Sequence, residues 1–114
     1  MAKAKIPDPL ERRHLVEKEL PPEQARAIAQ AYLAEERWIE AIDFLKIAGV
    51  GEGLAELRSR AIAEGDAFLL RSVANADGRP PTRDDWQKLA AAATANGRER
   101  YALEARRQLE RGND

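Results

Sequence analysis

The chain has 114 residues, the length of one domain, and its 19 basic and 20 acidic side chains leave a net charge of −1. No large field therefore draws it to nucleic acid or to anionic lipid. It contains no cysteine, which excludes disulfides, thiolate catalysis and cysteine-bound zinc.

Hydrophobic residues make up 44% of the chain but aromatic ones only 5%, so the core must be mostly alanine, leucine and isoleucine. Such a core asks for backbones packed close together, which favours helix on helix. The opening "MAKAKIPDPLERRHL" has no apolar stretch of signal-peptide type, and no apolar run approaches the roughly 20 residues of a membrane span. A soluble cytoplasmic protein without cofactor or metal is expected.

Asp8-Pro9 reads as an N-cap followed by proline in the first helical position, opening a helix to about Leu20. Pro21-Pro22 ends it and opens a second helix, "PEQARAIAQAYLAEE". A tight charged turn at Glu36-Arg37 leads to "WIEAIDFLKIA", after which the cluster "GVGEG" (Gly49 to Gly53) reads as a linker. "LAELRSRAIAE", the turn Gly65-Asp66 and "AFLLRSVANA" follow. The stretch "DGRPPT" is a turn signal, with Thr82 and Asp85 forming a capping-box pair. Two last helices, "RDDWQKLAAAATAN" and "RERYALEARRQLE", join at Gly97-Arg98. No segment alternates as a half-buried strand would, so seven helices with very short connections are predicted.

Short connections make antiparallel neighbours, so helices two to seven form three hairpins. Their turns at Glu36, Gly65 and Gly97 lie 29 and 32 residues apart. Superimposed on those turns, Tyr32, Ala61 and Ala93 correspond, as do Ala41, Leu70 and Ala102. Ile28, Leu57 and Leu89 form another matching set, and Ala25, Leu54 and Trp86 correspond as apolar positions. This is an internal repeat of helical hairpins.

On Ala31-Tyr32, Ala41-Ile42, Leu45 and Ala48, then Leu54, Leu57, Ala61 and Gly65, then Trp86, Leu89, Ala90, Ala93, Gly97 and Ala102, the chain resembles the tetratricopeptide repeat family. The resemblance covers residues 22 to 111. Glu36 stands where that family usually has glycine, and the spacing is shorter than its usual length of roughly 34 residues. The resemblance implies an all-α fold: three stacked antiparallel hairpins in a right-handed superhelix over residues 22–114, plus an N-terminal tail and helix over 1–21. It also implies a concave groove formed by the first helix of each pair. Groove positions here would be Glu23, Arg26, Gln30 and Leu33, then Glu52, Ala55, Ser59 and Ile62, then Asp84, Gln87, Ala91 and Thr94, with Lys88 beside them.

Chemistry finds little support. His14, the single histidine, lacks a second ligand and reads as a surface imidazole. Asp84 and Asp85 point about 100° apart on a helix and serve its N-terminal dipole. "GVGEGL" lacks the strand, lysine and hydroxyl of a phosphate loop. Arginines interleaved with acids read as a solvated face.

The reading is a non-catalytic module that binds a partner protein or peptide in the groove, with Leu33 and Ile62 meeting apolar anchors. Two alternatives stay open. One is a homodimer through the N-terminal helix, whose stripe (Leu10, Val16, Leu20) is too thin to be stable alone. The other is a small all-α enzyme using Glu40 or Asp43 as a carboxylate base.

Overall fold

A computed structural model of the chain describes residues 6–17, 20–49 and 51–111. Seven helices and no strand are present among them: α1 (Pro9–Glu17), α2 (Pro22–Ala34), α3 (Trp38–Ala48), α4 (Gly51–Glu64), α5 (Ala67–Asp77), α6 (Arg83–Ala95) and α7 (Glu99–Arg111). The all-α expectation holds. The first lysines, Lys18 and Glu19 of the helix expected to run to about Leu20, and Val50 of the glycine cluster lie outside the described residues.

The local signals act as the sequence implies. Asp8 Oδ1 accepts from the Glu11 amide at 2.8 Å, and Pro9 supplies the first helical residue, where no amide hydrogen is needed. Thr82 and Asp85 close a reciprocal capping box, at 3.1 Å to the Thr82 hydroxyl and 2.9 Å to the Asp85 carboxylate. Asp66 caps α5 by accepting from Leu69 N–H at 3.0 Å. The glycine cluster departs from expectation: Gly51 to Gly53 are already helical. A Cβ on Gly53 would stand 2.8 Å from Leu45 Cδ2, so glycine there admits the Leu45 side chain beside the backbone.

The three turns are alike in detail. Glu36, Gly65 and Gly97 adopt left-handed backbone with φ of 56°, 72° and 73°. The amide one residue later reaches back five residues in each case: Arg37 to Tyr32 O at 2.9 Å, Asp66 to Ala61 O at 2.8 Å and Arg98 to Ala93 O at 2.8 Å. These bonds satisfy carbonyls that a helix end leaves unpaired. Tyr32, Ala61 and Ala93, the acceptors, are all fully buried, and so are Ala41, Leu70 and Ala102 beyond the turns.

The chain divides into two compact units, residues 1–54 and 55–114. In the first, α2 and α3 pack as a hairpin whose centre is Tyr32 on Phe44, ring centroids 5.7 Å apart at 23°. Ala25, Ala29, Ala41 and Leu45 complete that core. Ile28 is only half-buried, so the aliphatic match to Leu57 and Leu89 does not carry over to burial.

In the second unit, α4 and α6 run parallel. Asn96 Nδ2 donates to Glu64 O at 3.2 Å near their C-terminal ends. Arg58 on α4 meets Asp85 at the start of α6 at 3.5 Å. α5 and α7 are joined the same way by Arg71 and Glu104 at 2.9 Å. At the turn, a Cβ on Gly65 would collide with the Ala93 backbone, whereas one on Gly97 would meet nothing within 4 Å. Leu69, Leu70 and Val73 fill the interior. Phe68 is 49% exposed, so one apolar side of α5 faces water.

Arg58 is the main polar tie of this unit. It is only 18% exposed and donates to both carboxylate oxygens of Asp77, at 3.1 and 3.0 Å, and to Arg79 O at 2.6 Å. One guanidinium thus fastens the end of α5, the loop after it and the start of α6.

Two outcomes follow from this packing. Gly65→Ala should cost about 2–4 kcal/mol, a left-handed penalty plus backbone overpacking, against about 1 kcal/mol for Gly97→Ala, while Glu36→Gly should gain up to about 1 kcal/mol. Equal costs for the two glycines in urea melts would contradict the close approach. Arg58→Ala should cost about 2–4 kcal/mol, since it leaves Asp77 and Asp85 largely buried without a cation; a change below about 1 kcal/mol in the same melts would show the network to be incidental.

Candidate partner-binding site

The residues expected to line a groove sit on the first helix of each hairpin, and most face water. On α2, Glu23, Arg26 and Gln30 are exposed and Leu33 is half-buried. Glu23, Arg26 and Gln30 occupy the face beside that of Ala25, Ala29 and Tyr32, which are fully buried, and Leu33 sits at the border between the two. On α4, Ser59 is exposed and Ile62 half-buried; on α6, Gln87, Lys88 and Thr94 are exposed. Because α4 and α6 are parallel neighbours, the second unit brings its two sets onto adjacent helices. The α2 set is held by the first unit.

The positions are not equally free. Lys88 Nζ lies 3.0 Å from Asp84, one helical turn back. The Asp84 hydrogen bond, then its charge, raises the ammonium above its ordinary value. Thr94 donates to Ala90 O at 2.9 Å and accepts from Arg106 of α7 at 3.3 Å. It therefore turns toward its own hairpin partner and lines an open groove less well than its spacing suggests. Ser59 and Gln87 have no hydrogen bond among the described residues. Leu33, Ile62 and Thr94 are equivalent, their carbonyls each accepting from the left-handed residue of the turn at 3.0–3.2 Å.

A second feature was not legible in the helical pattern. α1 is tied to α3 by Arg12, whose Nη2 donates to Glu40 O at 3.1 Å and to Asp43 Oδ2 at 3.0 Å. The same guanidinium lies 5.8 Å from the centre of the Tyr32 ring and 5.5 Å from that of Phe44, within reach of a cation–π attraction. Arg37 lies 5.1 Å from the Tyr32 ring centre and donates to Glu40 Oε2 at 2.7 Å. Pro7, Pro9, Arg12, Tyr32, Arg37, Ile39, Glu40 and Asp43 line a shallow cleft of about 430 Å³ there. The buried Tyr32 hydroxyl and Arg12 Nε have no hydrogen-bond partner among the described residues. α1 thus attaches at α3 through Arg12, and the outward positions of α2 stay open.

Glu40 and Asp43 are both engaged by arginines here. Burial pushes the Glu40 carboxyl up, but the Arg37 hydrogen bond, a backbone hydrogen bond and the charges of Arg37 and Arg12 outweigh it and hold the group below its ordinary range. A carboxylate stabilised in its charged form is a poor proton acceptor at neutral pH. Asp43 is held by Arg12. His14 is exposed, and no cluster of three or more metal-ligating side chains occurs among the described residues. No described helix is long and apolar enough to cross a membrane.

The Glu40 shift has a pH consequence. Its folded value is lowered from about 4.5, so its contribution to stability is present above that pH and is lost as the pH falls through the lowered value. Glu40→Gln should therefore flatten the acid limb of a stability-versus-pH curve and leave the region above neutrality parallel to wild type. Superimposable acid limbs would mean that the Arg37–Glu40 pair does not favour the folded state.

Comparisons of this chain with protein-family models, with curated proteins and with solved structures give no match, so the fold and the two surfaces stand on geometry alone.

Proposed function

We propose that this chain is a non-catalytic protein–protein interaction module of the cytoplasm, its hairpins tetratricopeptide-like, that binds a partner peptide or helix along its first helices. The observation that carries the reading is the parallel pair α4 and α6. Their adjoining turns bury Leu57, Ala61, Leu89 and Ala93 and leave Ser59, Gln87 and Lys88 in water. Two parallel helices present a shallow channel, and Ser59 and Gln87, without a hydrogen bond among the described residues, offer donors and acceptors to an extended or helical ligand. Ile62, half-buried, supplies the apolar contact. Glu23, Arg26, Gln30 and Leu33 offer the corresponding strip on α2.

Such a surface binds through many weak contacts, and a few central positions carry most of the affinity. Ser59→Arg with Gln87→Glu introduces bulk and charge at exposed positions and should leave the helical circular dichroism unchanged. Proteins retained by the wild-type chain from extract of its own cell should be lost by about tenfold or more, a change of about 1.4 kcal/mol. Retention of the same proteins by a folded double variant would remove the α4–α6 face from the function.

A further inference from the structure

The cleft between α1 and α3 has the composition of an arginine receptor. Its parts are the stacked rings of Tyr32 and Phe44, the Glu40 carbonyl and the Asp43 carboxylate, all of which meet one guanidinium. Flat faces, a neutral acceptor and an anionic acceptor are what a planar, delocalised cation requires. In the folded chain Arg12 fills the place.

Arg12 fills it incompletely. Its Nε and the hydroxyl of the fully buried Tyr32 have no hydrogen-bond partner among the described residues, and a buried polar group without a hydrogen bond is destabilising. The helix that delivers Arg12 is also weakly held. α1 has nine residues and fully buries none of them, and a helix so short has little stability of its own. Leu10, on that helix, is 71% exposed, and Ile39 at the cleft is 37% exposed. The receptor is better formed than the attachment of its internal occupant.

We infer that the Tyr32–Phe44–Asp43 cleft is a binding site for an arginine side chain of a partner peptide, and that α1 is an internal competitor which the peptide displaces. The chemistry the partner must bring is read from the occupant: a guanidinium for the two rings and Asp43, with an apolar side chain close by for Ile39 and Pro7. A hydrogen-bonding group beside the guanidinium, such as a peptide carbonyl, would partner the Tyr32 hydroxyl. The site draws on residues of the first unit and the α4–α6 face on residues of the second, so either can fail without the other.

The probe is a fluorescent peptide with the sequence of residues 6–17, titrated into full-length protein. Arg12→Ala empties the site in the chain and should bind the peptide about tenfold more tightly than wild type, the factor for a competitor that occupies the site about nine-tenths of the time. The same peptide with alanine in place of the arginine corresponding to Arg12 should lose that binding. Asp43→Asn, combined with Arg12→Ala, should lose it too. Circular dichroism of each variant checks folding, and Arg12→Lys, which keeps a cation at the site, provides a folded alternative with intermediate affinity. Equal binding by wild type and Arg12→Ala, or equal binding of the alanine peptide, would overturn the proposal. A wild-type dimer by sedimentation that disappears in Arg12→Ala would also overturn it, by assigning the site to α1 of a second copy.

Discussion

One backbone device underlies the turns at Glu36, Gly65 and Gly97. A residue in left-handed conformation stops the first helix, and the next amide hydrogen-bonds to a carbonyl five residues back. The reversal places the acceptor residue and the position five beyond the turn on the inner side of the pair, which is why Tyr32, Ala61 and Ala93 and then Ala41, Leu70 and Ala102 are all fully buried. Glu36 adopts this geometry although a side chain there costs about 1–2 kcal/mol. The two hydrogen bonds it permits and the burial of Tyr32 on Phe44 offset that cost. At Gly65 a second demand is added, since the neighbouring Ala93 backbone leaves no space for a side chain.

Around this apolar framework, arginine side chains make the longest polar connections. Arg58 ties α4 to Asp77, to the loop and to Asp85; Arg12 ties α1 to α3; Arg71 ties α5 to α7. A guanidinium suits this because it carries several donors in one plane and can serve carboxylates and carbonyls together. The consequence for chemistry is direct. Asp43, Asp77, Asp85 and Glu104 are spent as anions on fixed cations, and Glu40 is held ionised by the same means. Polar groups arranged this way fasten helices.

The surfaces divide by the same logic. Where helices meet through alanine they approach closely, and the outer turns are left carrying short polar side chains such as Ser59 and Gln87. Where α1 meets α3 no such fit exists. A single long side chain bridges the gap and covers the rings of Tyr32 and Phe44, which are fully buried beneath it. A surface built on close packing is permanent, whereas one covered by a nine-residue helix with a single deep contact can open.

Helix count, the register of the hairpins, the Asp8 and Thr82 caps and the buried alanines were all readable in the linear order of residues. Each depends on neighbours within a few positions and on a period of 3.6. Even the unusual turn at Glu36 could be placed by superposition on two glycine turns. The start of α4 departs from the expectation because glycine signals a linker locally, while Gly51 to Gly53 are helical and Gly53 packs beside the Leu45 side chain. The exposure of Phe68, the Arg106–Thr94 hydrogen bond and the cleft under Arg12 gave no periodic signal. Pairing across 31 residues, as between Arg12 and Asp43, depends on which of many acids a long flexible cation meets once helices are packed, and only the assembled backbone selects one.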